Sequence, residues 1–153
     1  MHVAGSQTQA EAIDILLVED SPSDALMTRE ALEFSKVVNH LHIVDDGVEA
    51  LAFLRKQGKY ADSPAPGLIL LDLNLPRKGG LEVLHEIKHD EKLKTIPIVV
   101  LTTSKAEEDV AKSYGSHANC YINKPVEFAK LADAVRGIRD FWLCLVTLPP
   151  ETK

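Results

Sequence analysis

The sequence predicts an α/β protein with a doubly wound, five-stranded parallel sheet and helices on both of its faces. Three observations predict this fold. Short apolar runs alternate with segments that carry apolar residues at helical spacing. The run at residues 68–71 is apolar throughout, which is typical of a strand covered on both faces. Alternating strands and helices indicate a parallel sheet, and right-handed crossovers leave few strand orders.

The composition excludes several classes of protein. A length of 153 residues suits one core. The net charge of -6 argues against a nucleic-acid-binding protein, which normally has a basic stripe. No apolar run approaches the roughly 20 residues that span a bilayer, and the N-terminus lacks the apolar core of a signal peptide. Cys120 and Cys144 have no metal or redox spacing, so we expect reduced thiols in a cytoplasmic protein.

The first strand and helix are predicted at residues 13–18 and 22–35. The strand is rich in β-branched residues. Ser21 is a good N-cap, and a proline at the first helical position favours a helix start there. Leu26 is among the apolar positions at helical spacing. Residues 1–12 are predicted to be a flexible tail.

The second strand and helix are predicted at residues 41–44 and at residue 48 to about 57. A Pro- and Gly-containing loop then runs to residue 67. One face of this helix is predicted to be apolar and to carry Val48, Leu51, Ala52 and Leu54.

The second half of the chain repeats the alternation three times. The third strand covers residues 68–72 and the fourth covers 96–101, with Pro97 near its start, where a missing donor is tolerated. The fifth strand covers residues 119–122. The intervening and final helices are predicted at residues 81–89, 105–115 and 126 to about 145. The domain is expected to span residues 13–146, followed by a tail at 147–153.

Polar residues of complementary chemistry end four of the five strands. They are Glu19 and Asp20, Asp72, Thr102 and Lys124. A lone aspartate at a strand end is most often a turn former, so the set matters more than any one member. In doubly wound sheets the ligand site lies at the carboxyl ends of the strands. We therefore expect these residues to meet at one edge of the sheet.

The set suggests metal binding and phosphoryl chemistry. Two carboxylates about 4 Å apart repel by roughly 4 kcal/mol at an effective dielectric of 20. Such carboxylates raise each other's pKa unless a cation lies between them. Oxygen ligands without His or Cys suit a hard ion such as Mg²⁺. A carboxylate beside Mg²⁺ and Lys124 could accept a phosphoryl group, and Thr102 could hydrogen-bond its oxygen.

The chain resembles the response-regulator receiver domains of two-component signalling, also called CheY-like domains, over about residues 13 to 145. The resemblance rests on the acidic pair, Asp-Leu-Asn-Leu-Pro beginning at Asp72, Gly80, Thr102 and Lys124-Pro125. The spacings of 30 residues from Asp72 to Thr102 and 22 from Thr102 to Lys124 also fit this family. The resemblance implies the flavodoxin-like strand order 2-1-3-4-5.

The resemblance implies a phosphoacceptor and a Mg²⁺ site. Asp72 resembles the phosphoacceptor. Asp20 and Asp72 resemble the carboxylate ligands of Mg²⁺, with the backbone carbonyl of Asn74 as a third ligand. Glu19 resembles the acid that acts through a metal-bound water.

The resemblance also implies a switch. Thr102 resembles the hydroxyl residue that moves to the phosphoryl group, and Lys124 resembles the lysine that pairs with that group. The Lys124–Pro125 peptide bond is expected to be cis, a form whose energetic cost is small only when the second residue is proline. Tyr121 resembles the aromatic residue that turns inward on activation, although an ordinary edge-strand aromatic would look the same.

The last predicted helix suggests a partner surface. Its segment with Phe141, Trp142 and Leu145 is apolar almost all round, whereas a surface helix has one wet face. The segment either folds onto its own core or forms an interface. The resemblance implies a homodimer through the fourth and fifth helices.

The resemblance also implies an upstream partner, a sensor histidine kinase. The sequence is most like the stand-alone regulators of cyanobacterial phytochromes. The protein is expected to be a phosphoacceptor rather than an enzyme that turns over a substrate.

Three other functions would place different requirements on the sequence. A receiver-like module that docks without being phosphorylated would keep the fold but would not need Asp72 or Lys124. A haloacid-dehalogenase-type phosphatase would need a second acid where Asn74 stands. A flavodoxin-like nucleotide-binding protein would need a Gly-rich phosphate loop after the first strand, which is missing.

Overall fold

The computed structural model describes residues 12–103, 105–113 and 118–147, with the backbone alone at residues 107, 111, 113 and 142–147. It contains one parallel sheet with the strand order β2-β1-β3-β4-β5, as predicted. The strands are β1 Ile13–Val18, β2 Asn39–Val44, β3 Leu68–Asp72, β4 Ile98–Thr102 and β5 Cys120–Asn123. The helices are α1 Pro22–Ser35, α2 Gly47–Leu54, α3 Gly80–Lys88, α4 Lys105–Ser113 and α5 Phe128–Thr147, with a short 3₁₀ turn at Gly58–Tyr60.

The core has two layers, one on each face of the sheet. Alternate residues of β3 point to opposite faces, because side chains alternate along a strand. Leu68 and Leu70 pack in the layer that α1 and α5 cover. Ile69 and Leu71 pack in the layer that α2 and α3 cover. The predicted arrangement of a sheet between two helical layers is therefore confirmed.

Some element boundaries differ from the prediction. The strand β2 begins at Asn39 rather than at residue 41, because Asn39 already pairs with Ile13 in the parallel ladder. The helix α2 ends at Leu54 rather than near residue 57. Its end is followed by Lys56, at φ 57°, and Gly58, at φ 59°, which are left-handed conformations that cannot continue the helix.

Two of the apolar residues at helical spacing are exposed rather than packed against the core. Val48 is 42% exposed and Leu26 is 54% exposed. The inward face of α2 is instead built from Ala50, Leu51, Phe53 and Leu54. Gly47 explains the difference, because a Cβ there would lie 2.4 Å from the Lys78 carbonyl oxygen. The Gly47 side of α2 thus packs closely against the loop before α3. Because Gly47 faces inward, the next residue, Val48, faces solvent.

The predicted partner surface is only partly visible. Phe141 is 63% exposed, whereas the side chains of Trp142 and Leu145 lie outside the described residues. The predicted tails also lie outside them, apart from residues 12 and 147. Among the described residues, no helix combines the length and hydropathy that crossing a bilayer requires.

Candidate functional site

The carboxyl ends of β1, β3, β4 and β5 bring the predicted residues to one edge of the sheet. The parallel register of β1 and β3 places Glu19 beside Asp72. The backbone N–H of Lys124 donates to the Thr102 carbonyl at 2.8 Å, which joins the ends of β4 and β5. These ends surround an open cleft of about 440 Å³. The cleft is lined by Glu19, Asp20, Ser21, Asp24, Asp72, Asn74, Thr103, Lys124 and Pro125.

Lys124 is the centre of an ionic cluster, hereafter the Lys124 cluster. Its ammonium donates to Asp24 Oδ2 at 2.9 Å and to Asp72 Oδ2 at 3.0 Å. It also lies 2.9 Å from Glu19 Oε1. Burial alone would lower the pKa of Lys124, but the attraction of these three carboxylates outweighs it and raises the pKa. The lysine therefore stays charged. Its peptide bond to Pro125 is cis.

Sequence reasoning missed Asp24. An aspartate in the first turn of a helix is usually explained by the helix dipole. The helix α1 begins directly after the acidic pair, and Ser21 caps it by accepting from the Asp24 N–H at 3.3 Å. The first turn of α1 therefore overhangs the cleft. The sequence did contain a signal for Asp24. The first turn of α1 begins only a few residues after Glu19, so a polar side chain in that turn lies near the end of β1.

Asp72 is held rigidly by its neighbours. It is buried, and its Oδ1 accepts a hydrogen bond from the Asn74 backbone N–H at 2.9 Å. Behind it, Gly80 packs so closely that a Cβ would lie 2.5 Å from the Asp72 carbonyl oxygen. Because both the carboxylate and the backbone are fixed, the direction of the side chain into the cleft is set before any ligand arrives.

The acidic residues have the donor set of a divalent-cation site. Carboxylate oxygens of Glu19, Asp20 and Asp72 lie within 4.8 Å of one another. Glu19 Oε1 is buried and accepts no hydrogen bond from the described residues, although the Lys124 ammonium lies near it. Burial and the nearby Asp72 carboxylate raise the pKa of Glu19 to about 7. A hard cation would relieve this repulsion, so these residues fit Mg²⁺.

The proposed switch residues lie next to the cleft. Thr102 is fully buried, and its neighbour Thr103 is the one that lines the cleft. Tyr121 is half-buried, and its hydroxyl accepts a hydrogen bond from the Ala118 backbone N–H at 3.1 Å. The Lys112 ammonium lies 5.0 Å from the centre of the Tyr121 ring. The roles of these side chains stay predictions.

A second ionic cluster, hereafter the Arg77 cluster, lies at the end of β2 and was also missed. Arg77 donates to Asp46 through two nitrogens, at 2.8 and 3.0 Å. Glu49 lies 3.5 Å from both Arg77 and Lys59 and accepts from the Tyr60 hydroxyl at 2.6 Å. The Arg77 guanidinium holds the pKa of Asp46 below its usual range. This cluster ties the loop that follows Asp72 to the start of α2.

The comparison with known families identifies the family to which the chain belongs. Residues 15–136 match the response regulator receiver domain. The chain belongs to this family. It is 54% identical to response regulator Rcp1 of Synechocystis sp. over 135 residues, which cover 88% of this chain and 92% of that protein.

Solved structures agree with this assignment. The Mn²⁺-bound form of Rcp1 is 53% identical, covers 90% of this chain and 99% of its own, and has a TM-score of 0.71. The phosphorylated cyanobacterial phytochrome response regulator RcpA is 50% identical, with coverages of 91% and 99% and a TM-score of 0.72. The bacteriophytochrome response regulator RtBRR is 43% identical, with coverages of 83% and 78% and a TM-score of 0.77. Receiver domains bind Mg²⁺ in their acidic pocket, and the cleft of this chain has the carboxylates to do so.

Proposed function

We propose that the chain accepts a phosphoryl group on Asp72 from a histidine kinase in a Mg²⁺-dependent reaction. One observation carries the proposal. Asp72 ends a buried strand with its carboxylate fixed between the Lys124 ammonium, at 3.0 Å, and the Asn74 N–H, at 2.9 Å. A module that only docks would not need this arrangement. The proposed domain spans residues 13–146 of a cytoplasmic protein.

In the proposed reaction one Asp72 carboxylate oxygen attacks the phosphorus of a phosphohistidine. A P–O bond forms, the P–N bond breaks, and the leaving imidazole nitrogen keeps the electron pair of that bond and takes a proton from solvent. Lys124 offsets the negative charge that the phosphoryl oxygens carry. Mg²⁺, when bound by Asp20 and Asp72 with the Asn74 carbonyl and with Glu19 through water, supplies further charge neutralisation.

Phosphorylation would shift the domain between two states that already exist. The new group carries a charge near -2 and several acceptor oxygens. Thr102 is proposed to move its hydroxyl toward those oxygens, and the Tyr121 ring is proposed to turn inward behind it. The helices α4 and α5, with Phe141, would then form the face through which two copies associate.

A phytochrome-type kinase is the proposed phosphoryl donor. The support is the naming of the similar proteins RcpA and RtBRR as phytochrome or bacteriophytochrome response regulators. Phosphotransfer from an autophosphorylated cyanobacterial phytochrome should therefore be faster than transfer from a light-independent histidine kinase. Equal rates from both donors would contradict this part of the proposal.

Labelling with a radioactive phosphohistidine donor tests the phosphoacceptor. Wild type should be labelled in Mg²⁺ and not in EDTA, and Asp72→Asn should not be labelled. Asp62→Asn is the matched control, because Asp62 is exposed and lies outside the cleft. Labelling of Asp72→Asn at the wild-type level would overturn the proposal. Binding of the kinase without any labelling would favour a docking module.

Light scattering tests the association. The phosphorylated protein should form a dimer at micromolar concentration, and a Phe141→Ser variant should weaken the dimer without changing the labelling. A wild-type protein that stays monomeric in both states would exclude the dimer.

A further inference from the structure

We propose that Asp24 is a positioning residue that holds Lys124 before phosphotransfer and competes with the phosphoryl group for it afterwards. The inference rests on the proposed function and adds a residue that controls how long the phosphorylated state lasts. It begins from the ammonium of Lys124, which lies within 3.0 Å of the carboxylates of Asp24, Glu19 and Asp72.

The ammonium of Lys124 is already surrounded by carboxylates. Two of its three N–H groups donate to Asp24 and Asp72, at 2.9 and 3.0 Å, and Glu19 Oε1 lies 2.9 Å from the ammonium without a hydrogen bond. A phosphoryl oxygen on Asp72 that approaches Lys124 therefore competes with these carboxylates for the ammonium. The carboxylate that gives way decides how tightly the phosphoryl group is held.

Asp24 is the carboxylate that can withdraw. The Glu19 side chain is fully buried, and its second oxygen accepts from the Ser21 backbone N–H at 3.2 Å, so it cannot move into water. Asp72 carries the new bond. The Asp24 side chain, by contrast, is 41% exposed and stands at the mouth of the cleft. Rotation of this side chain into solvent leaves no buried polar group behind.

Charge favours the same exchange. A phosphoryl group near -2 on Asp72 would face the Asp24 carboxylate across a single ammonium. Like charges at this separation repel, and solvent can take up only the exposed partner. The competition weakens the hold of Lys124 on the phosphoryl group. Asp24 therefore promotes hydrolysis, in which water attacks the phosphorus and the Asp72 carboxylate leaves.

The first test measures the lifetime of the phosphorylated protein. Asp24→Asn keeps the shape of the side chain and removes its charge, so the half-life should rise about threefold to fivefold, the range that an exposed ion pair supports. Asp24→Glu should restore most of the wild-type lifetime. Glu30→Gln is the matched control, since it removes the same charge from an exposed position on α1.

A double-mutant cycle shows whether Asp24 acts through Lys124. In a Lys124→Gln background, Asp24→Asn should leave the half-life unchanged. The same fold-change in both backgrounds would show a long-range charge effect and would overturn the positioning role. Thermal unfolding of each variant checks that the changes do not come from a damaged fold.

Nuclear magnetic resonance of the unphosphorylated protein provides a test that does not depend on labelling. The ¹⁵N–¹H signal of the Lys124 ammonium should shift in Asp24→Asn and stay in place in Glu30→Gln. An unchanged signal in Asp24→Asn would overturn the inference even if Asp72 is labelled. A shifted signal in a protein that is never labelled would overturn the proposed function and leave the contact itself established.

Discussion

The Lys124 cluster and the Arg77 cluster lie at the same edge of the sheet but differ in their balance of charge. In the first, one ammonium contacts the carboxylates of Glu19, Asp24 and Asp72, and the Asp20 carboxylate lies beside those of Glu19 and Asp72. In the second, the cations Arg77 and Lys59 face the carboxylates of Asp46 and Glu49. The first cluster has an excess of negative charge and lies beside a cleft. The second has balanced charges and is held by two hydrogen bonds from Arg77 to Asp46.

The difference separates binding from support. A bound cation lowers the electrostatic free energy of a partly buried cluster that has excess negative charge, so such a cluster favours cation binding. A balanced cluster has little to gain from another ion, and it fixes two segments relative to each other. Here the Arg77 cluster fixes the loop that carries Asn74. It therefore holds in place a residue that lines the cleft beside the Lys124 cluster.

The largest effect should come from the backbone beneath the Lys124 cluster. In Gly80→Ala the new Cβ would meet the Leu73 Cα at 2.4 Å and the Asp72 carbonyl oxygen at 2.5 Å. Neither atom is the end of a flexible side chain, so the free energy of unfolding should fall by about 3 kcal/mol. Urea denaturation measures this loss.

Gly79→Ala is the control for that change, because a Cβ there meets no described atom within 4 Å. Gly79 is the N-cap of α3, where alanine is less favourable than glycine, so the free energy of unfolding should fall by no more than about 1 kcal/mol. Similar losses in both alanine variants would show that close packing behind Asp72 is not what the fold requires.

Magnesium should distinguish the two clusters next. A ligand that binds only the folded state at 100 times its Kd adds about 2.7 kcal/mol of stability. We expect this gain for wild type, and we expect it to disappear in Asp20→Asn and to persist in Arg77→Met. Thermal unfolding with Mg²⁺ and with EDTA measures it. Loss of the gain in Arg77→Met but not in Asp20→Asn would reverse the roles assigned to the clusters.

A smaller effect should come from the Arg77 cluster itself. Asp46 is the N-cap of α2, and its Oδ1 accepts from the Glu49 N–H at 2.9 Å. Asp46→Ala removes this cap and should cost about 1 to 2 kcal/mol. Asp45→Ala, an exposed neighbour, should cost little. An Mg²⁺ gain that falls along with the stability of Asp46→Ala would show that the clusters are coupled.

The smallest effect is a difference in pH dependence, measured without metal. The pKa of Asp46 is lowered in the folded state, so its stabilisation is present above the unfolded value of 3.8 and is lost as pH falls below it. The pKa of Glu19 is raised from 4.5 to about 7, so the folded state binds the extra proton and stability falls as pH rises between these values.

Two variants separate these contributions in urea denaturation between about pH 3 and 8. Asp46→Asn should flatten the acid side of the stability curve, and Glu19→Gln should remove the fall toward neutral pH. A curve for Glu19→Gln that still falls between pH 4.5 and 7 would show that another group carries the raised pKa.

Much of the fold and the centre of the site could be predicted from sequence because strands were easy to locate. The strand β3 is apolar at four consecutive positions and then ends in Asp72. In a parallel sheet every carboxyl end lies at the same edge. Locating the strands therefore placed Glu19, Thr102 and Lys124 near Asp72 without knowledge of side-chain geometry.

The missed features depend on packing between segments that are far apart in the chain. Arg77 and Asp46 are separated by 31 residues and meet only because a loop folds back on α2. Asp24 and Lys124 are separated by 100 residues. The exposure of Val48 followed from the contact of Gly47 with Lys78, which helical periodicity does not contain. Sequence patterns predicted the helices and strands but not the packing contacts between them.

The same long separation has a consequence during protein synthesis. The cation beside Asp72 comes from a residue 52 positions further along the chain, and its contact with Asp24 closes a separation of 100 positions. A ribosome must therefore deliver residue 124 before the Asp72 carboxylate gains its cation. A nascent or truncated chain would present the acidic residues without the lysine. Under the proposed function, phosphoryl transfer to Asp72 would thus require a chain that has been synthesised through its fifth strand.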